Sequence, residues 1–224
     1  MAITRGTVVG GQASGGDITT SLVISSGQTV IIAICTTQDS NTNNIGVGSI
    51  TRNSQTFTKI VGYGGSGGTG QPLYAEAWYL INPTVGTYNS VAHFNGTINN
   101  CSVTYYPLSG ADTADLVNTT SSVGSGNGFA NYMDLTTDAD NCEILGALVS
   151  EQTINSVEYG SSDASYVDQS YENTNVAHLD TTTAGLYTLG FNMAGGGAWG
   201  EVAVAINPLS TTTIRVGSFL TMFR

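Results

Sequence analysis

The amino-acid sequence predicts an all-β protein, an antiparallel β-sandwich of jelly-roll type, on three observations. The 224 residues hold 31 Thr, 22 Ser, 18 Asn and 29 Gly, together 100 positions. That mixture favours strands and turns over helices, because Thr is β-branched while Gly, Asn and Ser suit turn geometry. Apolar residues fall into short runs separated by turn clusters, the spacing of sandwiches and barrels. The chain also repeats itself. Val103-Thr104-Tyr105-Tyr106-Pro107-Leu108-Ser109 returns as Val204-Ala205-Ile206-Asn207-Pro208-Leu209-Ser210, and Thr84-Val85-Gly86-Thr87-Tyr88 returns as Thr183-Ala184-Gly185-Leu186-Tyr187, at offsets of 101 and 99.

In chain order the expected strands are Leu22–Ser25, Thr29–Thr37, Gly46–Thr51, Phe57–Tyr63, Leu73–Ile81, Ser90–Asn95, Ser102–Leu108, Tyr132–Thr136, Glu143–Ser150, Ser156–Tyr159, Val176–Thr181, Leu186–Met193, Gly200–Ile206 and Thr213–Leu220. The turns between them are Ser26-Gly27-Gln28, Asp39–Asn44, Gly64–Gly70, Pro83–Gly86, Ser122–Gly128 and Gly195-Gly196-Gly197. Ile31–Cys35 and Ile144–Val149 are apolar without alternation, which predicts strands covered on both faces by a second sheet, a loop or a partner chain. The expected organisation is an N-terminal arm or edge strand over 1–17, a sandwich over 18–208 and a C-terminal assembly arm over 209–224. The sandwich divides into similar halves at about 18–115 and 116–208.

Arg5, Arg52, Lys59, Arg215 and Arg224 are the only fixed positive charges against a net charge of −11. So few cations cannot neutralise a row of phosphates, and nucleic acids and anionic membranes are not expected partners. No stretch approaches the roughly 20 apolar residues of a membrane helix. The segment Met1–Gly6 lacks the apolar core of a secretory signal. Cys35, Cys101 and Cys142 have no metal-ligand spacing and read as buried free thiols, with one disulfide as the minority pattern.

The search for chemistry yields few candidates. His93 and His178 sit in strand-like runs without a nucleophile motif, and the glycine-rich stretches lack the Lys-Ser/Thr and helix of a phosphate loop. Glu76, Glu143 and Glu201 fall in apolar strands. A Lys59–Glu76 contact across neighbouring strands is the economical partner for one of them, while alternate positions facing water is the simpler expectation for all. The acidic groups Asp138/Asp140, Asp163/Asp168/Glu172 and Asp112/Asp115 lack EF-hand spacing, so they read as loop solvation, and no cofactor or metal is expected. Among the aromatics, Trp78, Tyr79, Tyr105 and Tyr106 read as core. The stretch Tyr159–Tyr171 mixes Tyr159, Tyr166 and Tyr171 with Asp163 and Asp168, and is the one loop read as a surface able to stack on a sugar.

The segments Ser25-Ser26-Gly27-Gln28-Thr29-Val30-Ile31-Ile32-Ala33, Ile50-Thr51-Arg52-Asn53-Ser54-Gln55-Thr56-Phe57-Thr58-Lys59-Ile60-Val61, Ala75-Glu76-Ala77-Trp78-Tyr79-Leu80-Ile81-Asn82-Pro83 and Trp199-Gly200-Glu201-Val202-Ala203-Val204-Ala205-Ile206-Asn207-Pro208 together resemble a β-sandwich, jelly-roll-like domain of phage and environmental virion-associated proteins. The resemblance covers about residues 20–208. It implies a structural or binding role without catalytic residues. Beyond it, Ile214, Val216, Phe219, Leu220 and Phe223 form an apolar tail that would be a liability free in water, and they read as an arm docking on another copy. The expectation is a non-enzymatic virion structural protein, a phage capsid decoration, accessory or tail-associated subunit partnered by copies of itself and other virion proteins. The alternative is a carbohydrate-binding or adhesin-like surface module whose partners are glycans.

Overall fold

A computed structural model describes residues 1–38, 46–66, 72–96, 100–159, 165–171 and 173–210, and the structural statements below concern these. They form antiparallel strands without a helix. The first ten are β1 (Thr4–Arg5), β2 (Val9–Ala13), β3 (Ile18–Ile24), β4 (Gln28–Gln38), β5 (Val47–Arg52), β6 (Gln55–Thr56), β7 (Thr58–Ser66), β8 (Pro72–Ile81), β9 (Gly86–Phe94) and β10 (Asn100–Ser109). Six more follow: β11 (Val117–Thr137), β12 (Glu143–Ser150), β13 (Ile154–Tyr159), β14 (Ser165–Tyr171), β15 (Thr174–Asp180) and β16 (Gly185–Ile206).

One sheet has the order β10-β4-β8-β7, with β1 and β2 both on the outer side of β10; a second has the order β3-β9-β5-β6. Ile18, Leu22 and Ile24 from the second meet Ile31, Ala33, Cys35, Val103 and Tyr105 from the first in a closed core. Local chemistry sets the corners. Gly27, at φ 93, turns β3 into β4, and Asn53 and Ser54, both at positive φ, make the tight β5–β6 hairpin. Buried Arg52 fastens that hairpin by donating to the carbonyls of Thr84 at 2.7 Å and Gly86 at 2.8 Å.

The third sheet repeats this order with fewer, longer strands. Just as β4 lies between β10 and β8, β12 lies between the end of β16 and β15, with β14 outermost. The start of β16 lies between β11 and β13, as β9 lies between β3 and β5. Single strands β11 and β16 therefore take the places of β2 with β3 and of β9 with β10. The turns expected at Ser122–Gly128 and Gly195–Gly197 are instead bends within continuous strands, with register shifts at Ser125/Gly128 and Gly128/Ala130. Glycine lets a strand kink from one layer into the next without ending it. The folded-over sheet encloses its own core of Leu135, Ile144, Leu148, Leu189, Phe191 and Ala203.

The two halves meet face to face along a seam. Val30, Ile32 and Ile34 of β4, with Tyr106 and Leu108 of β10, pack on Leu145, Ala147, Val176, Val204 and Ile206. This explains the unbroken apolar runs: β4 and β12 each have a sheet on both faces. The matched segments starting at Val103 and Val204 do lie in corresponding strands, yet Val103 faces the first core and Val204 faces the seam. Their offset of 101 is thus one residue out of step with the pairing, and one residue reverses the face of a strand.

Two substitutions test the seam. Ile32 is fully buried, so Ile32→Ala is expected to cost about 2–5 kcal/mol in denaturant unfolding. A Cβ on Gly200 would lie 2.5 Å from the Tyr63 ring, so Gly200→Ala is expected to cost about 1–3 kcal/mol. Unchanged midpoints for both would contradict face-to-face packing.

Candidate functional site

The seam opens at both ends, and its two mouths differ in chemistry. Alternate residues of β4 run Val30, Ile32, Ile34, Thr36, Gln38 along the seam, and those of β10 run Leu108, Tyr106, Thr104, Ser102, Asn100. Both strands change from apolar to hydroxyl and carboxamide at the same end. There the sheets bound a cleft of about 450 Å³ that also receives Gln12 and Ser14 from the β2 side and Asn173 and Thr174 from the β15 side. Thr36 Oγ1 lies 2.7 Å from Ser102 Oγ and 3.1 Å from Thr174 Oγ1, so one buried hydroxyl links both halves. Asn173 Nδ2 donates to Gln38 Oε1 at 3.1 Å.

The opposite mouth is ionic, a cleft of about 560 Å³. Glu143 and Asp180 are register partners on β12 and β15, and Arg5 reaches them from β1. Its Nη1 hydrogen-bonds Glu143 Oε1 and lies 2.6 Å from Asp180 Oδ1. Burial pushes the Glu143 carboxyl well above the usual range, aided by its hydrogen bond to Asp180 and against the Arg5 charge. Partial burial would raise Asp180 too, but hydrogen bonds from Arg5 and Glu143 and the Arg5 charge outweigh it and hold that carboxyl at about 2. The two acids therefore share a proton, a format suited to acid–base chemistry. They are too close for glycoside hydrolysis, which separates its carboxyls by about 5 Å or more. Arg5 also occupies both, so the cluster ties the N-terminal strand to the second half.

The expectation that Glu76, Glu143 and Glu201 face water is overturned; all three are buried. The Lys59–Glu76 pair is present at 2.6 Å, and the other Glu76 oxygen accepts from the Val47 amide at 3.0 Å and Trp78 Nε1 at 3.1 Å. Central strands have no water-facing side, so an acid there must find donors. Glu201 finds none among the described residues: it is fully buried, and both its oxygens lack a partner, as do Trp199 Nε1 and Asn175 Oδ1. Burial alone drives its carboxyl strongly upward.

The remaining candidates separate. His93 Nδ1 lies 2.7 Å from Asp17 Oδ2, and Ser49 is the register partner of His93. This row lies on a half-exposed sheet face, where water competes for any developing charge. Tyr166, Asp168 and Tyr171 lie in edge strand β14, which pairs with β15 across a register shift at Val167/Gln169, and Tyr159 ends β13, so the expected loop is largely strand. Asp163 lies outside the described residues, as do Ile214, Val216, Phe219, Leu220 and Phe223. Trp78 and Tyr105 fill the first core and Tyr106 the seam. Acidic loops act as braces: Asp112 accepts from the Ala114 amide at 2.8 Å and Asp140 from the Ala184 amide at 2.7 Å. No cluster among the described residues is arranged to hold a metal ion. Cys35, Cys101 and Cys142 are buried free thiols; burial lifts the latter two to about 11.

Sequence reasoning missed Arg5, Asp180 and the neutral mouth. A signal existed for the mouth, in the alternate residues from Val30 to Gln38.

Glu201 and Asp180, the one sealed in a core and the other exposed beside Arg5, each give stability a pH dependence. A raised native pKa means stability is complete below the unfolded value, here 4.5, and is lost as pH rises above it. Glu201→Gln mimics the neutral acid, so its melting temperature should exceed that of the parent by a margin that widens as the pH rises above 4.5. A constant margin would refute a Glu201 that the fold holds protonated. Arg5→Ala should cost about 1–3 kcal/mol at pH 7. Because the Asp180 pKa is lowered, that cost should shrink as pH falls from 3.8 toward about 2; a cost independent of pH would mean that Asp180 contributes nothing to the link.

Compared with family models, curated proteins and solved structures, the chain matches none of them.

Proposed function

We propose that this chain is a non-enzymatic structural subunit of a virus particle, a decoration or accessory protein of a phage capsid or tail that assembles with copies of itself. The observation that carries the reading is the doubled architecture. Counting β2 as the first strand and β10 as the eighth, with β6 and β7 together as the fifth, the first half reads 1-8-3-6 in one sheet and 2-7-4 in the other, with the short β6 part of the fifth strand beside the fourth and its longer β7 part beside the sixth. This arrangement supports reading the half as a jelly roll, an architecture used by viral capsid and lectin domains. The second half keeps the order 1-8-3-6 and 2-7-4, with its fifth strand beside the sixth. Fold alone does not fix function, so the link to virions is an analogy. The resemblance to virion-associated sandwich domains supports it.

Two further observations favour assembly over catalysis. The thiols are held protonated by burial, and the perturbed carboxyls are engaged in internal links or sealed in a core, which leaves them little reactivity. The Met1 amine donates to Leu209 O at 3.0 Å and the Leu209 amide to Gly110 O at 2.7 Å, so the N-terminal arm and the start of the C-terminal arm share one corner. A C-terminal segment that starts from this corner suits exchange with a neighbouring copy.

Analytical ultracentrifugation and co-sedimentation with particles test the proposal. The full chain should form oligomers of the 23.1 kDa subunit and sediment with particles, while removal of 211–224 should leave a folded monomer. A full-length chain that stays monomeric at about 100 μM and ignores particles would sink the reading, since assembly contacts act well below that concentration.

A further inference from the structure

We infer that the neutral mouth of the seam is a binding site for an uncharged, hydroxyl-rich small molecule of the class of a neutral mono- or disaccharide. The inference goes beyond the structural role and stands whether or not the chain joins a particle.

Size comes first. A cleft of about 450 Å³ falls within the span of small-molecule sites, about 300–1,000 Å³. Composition then narrows the ligand. Its walls carry the hydroxyls of Thr36, Ser102 and Thr174 and the carboxamides of Gln38, Asn100 and Asn173, and among the described residues no lining side chain is charged. An ion entering it would lose water without gaining a counter-charge, and an apolar molecule would strip water from these dipoles without replacing it. A polyol offers both donors and acceptors at each hydroxyl, which matches side chains that do the same. The net charge of −11 sets the body of the protein against anionic ligands as well.

Preorganisation is the third strand of the argument. Thr36, Ser102 and Thr174 are 2 %, 3 % and 7 % exposed, so these hydroxyls sit in positions that an ordinary seam would fill with aliphatic side chains. The bonds from Thr36 Oγ1 to Ser102 and Thr174 fix all three rotors. Because Asn173 donates its amide to Gln38, its carbonyl oxygen remains an acceptor. The walls come from sheets of both halves, whose separation the apolar seam sets, so the site needs no closure to form. Among the described residues no aromatic ring lines it. Without stacking, affinity should be modest, with Kd about 0.1–1 mM.

Saturation-transfer NMR and calorimetry on the full chain test this, with maltose, lactose, cellobiose and N,N′-diacetylchitobiose as probes and sialyllactose as the anionic comparator. At least one neutral disaccharide should bind saturably. Gln38→Ala and Asn173→Ala should each weaken it about tenfold, the loss of a hydrogen bond on a fully engaged ligand. Should either variant melt early, Gln12→Trp at an exposed position plugs the mouth without touching the buried bonds and should abolish binding. No saturation by any of the four at about 20 mM would overturn the inference, since that lies far above the expected Kd. So would binding that survives Gln12→Trp, or sialyllactose binding as tightly as its neutral counterpart.

Discussion

The molecule depends on the burial of one aliphatic face against another. β4 and β12 are each sandwiched twice, once inside their own half and once against each other, and neither has a side that meets water. Apolar area removed from water is the dominant favourable term in folding, at roughly 25 cal/mol per Å². In this chain much of that area belongs to neither half alone. Val30, Ile32, Ile34, Leu145, Ala147 and Val204 would be an exposed greasy face on either half in isolation. The duplicated order therefore describes one folding unit with three apolar layers rather than two domains on a string.

That burden on the central strands sets the terms for every polar group placed among them. Glu76 is tolerated because Lys59, Trp78 and a backbone amide converge on it; Glu143 is tolerated because Arg5 and Asp180 do. Arg52, without a carboxylate, is caged by carbonyls. Glu201 lacks any such provision among the described residues and stays neutral by keeping its proton. The same constraint explains the mouths. Where the layers part, apolar side chains lose their cover, and one end substitutes hydroxyls and amides while the other substitutes an ion cluster.

Much of this was legible in the residues. Thr and Gly content announced an all-β chain, and the unbroken runs at Ile31–Cys35 and Ile144–Val149 marked the doubly covered strands. Lys59 as the sole lysine pointed to Glu76. Other features were hidden for physical reasons. Ser122–Gly128 and Gly195–Gly197 have the composition of turns, and nothing local separates a glycine that ends a strand from one that bends it. The acids were misjudged because alternation predicts a wet face only when a sheet has one. Arg5 could not be matched with Glu143 and Asp180, since that contact spans 138 and 175 residues.

The unbroken passage of β11 and β16 from one layer to the next has a mechanical meaning. In the first half only the short passage from β6 through Phe57 into β7 carries a strand from one sheet to the other, so one layer can peel from the other while each keeps most of its ladder. In the second half the layers share two covalent girders that are hydrogen-bonded to each other from Val117 to Thr137, and separating them means unzipping that pair. Thermal agitation and applied force should therefore find the amino-terminal half the softer partner, with the carboxy-terminal half yielding only as a block.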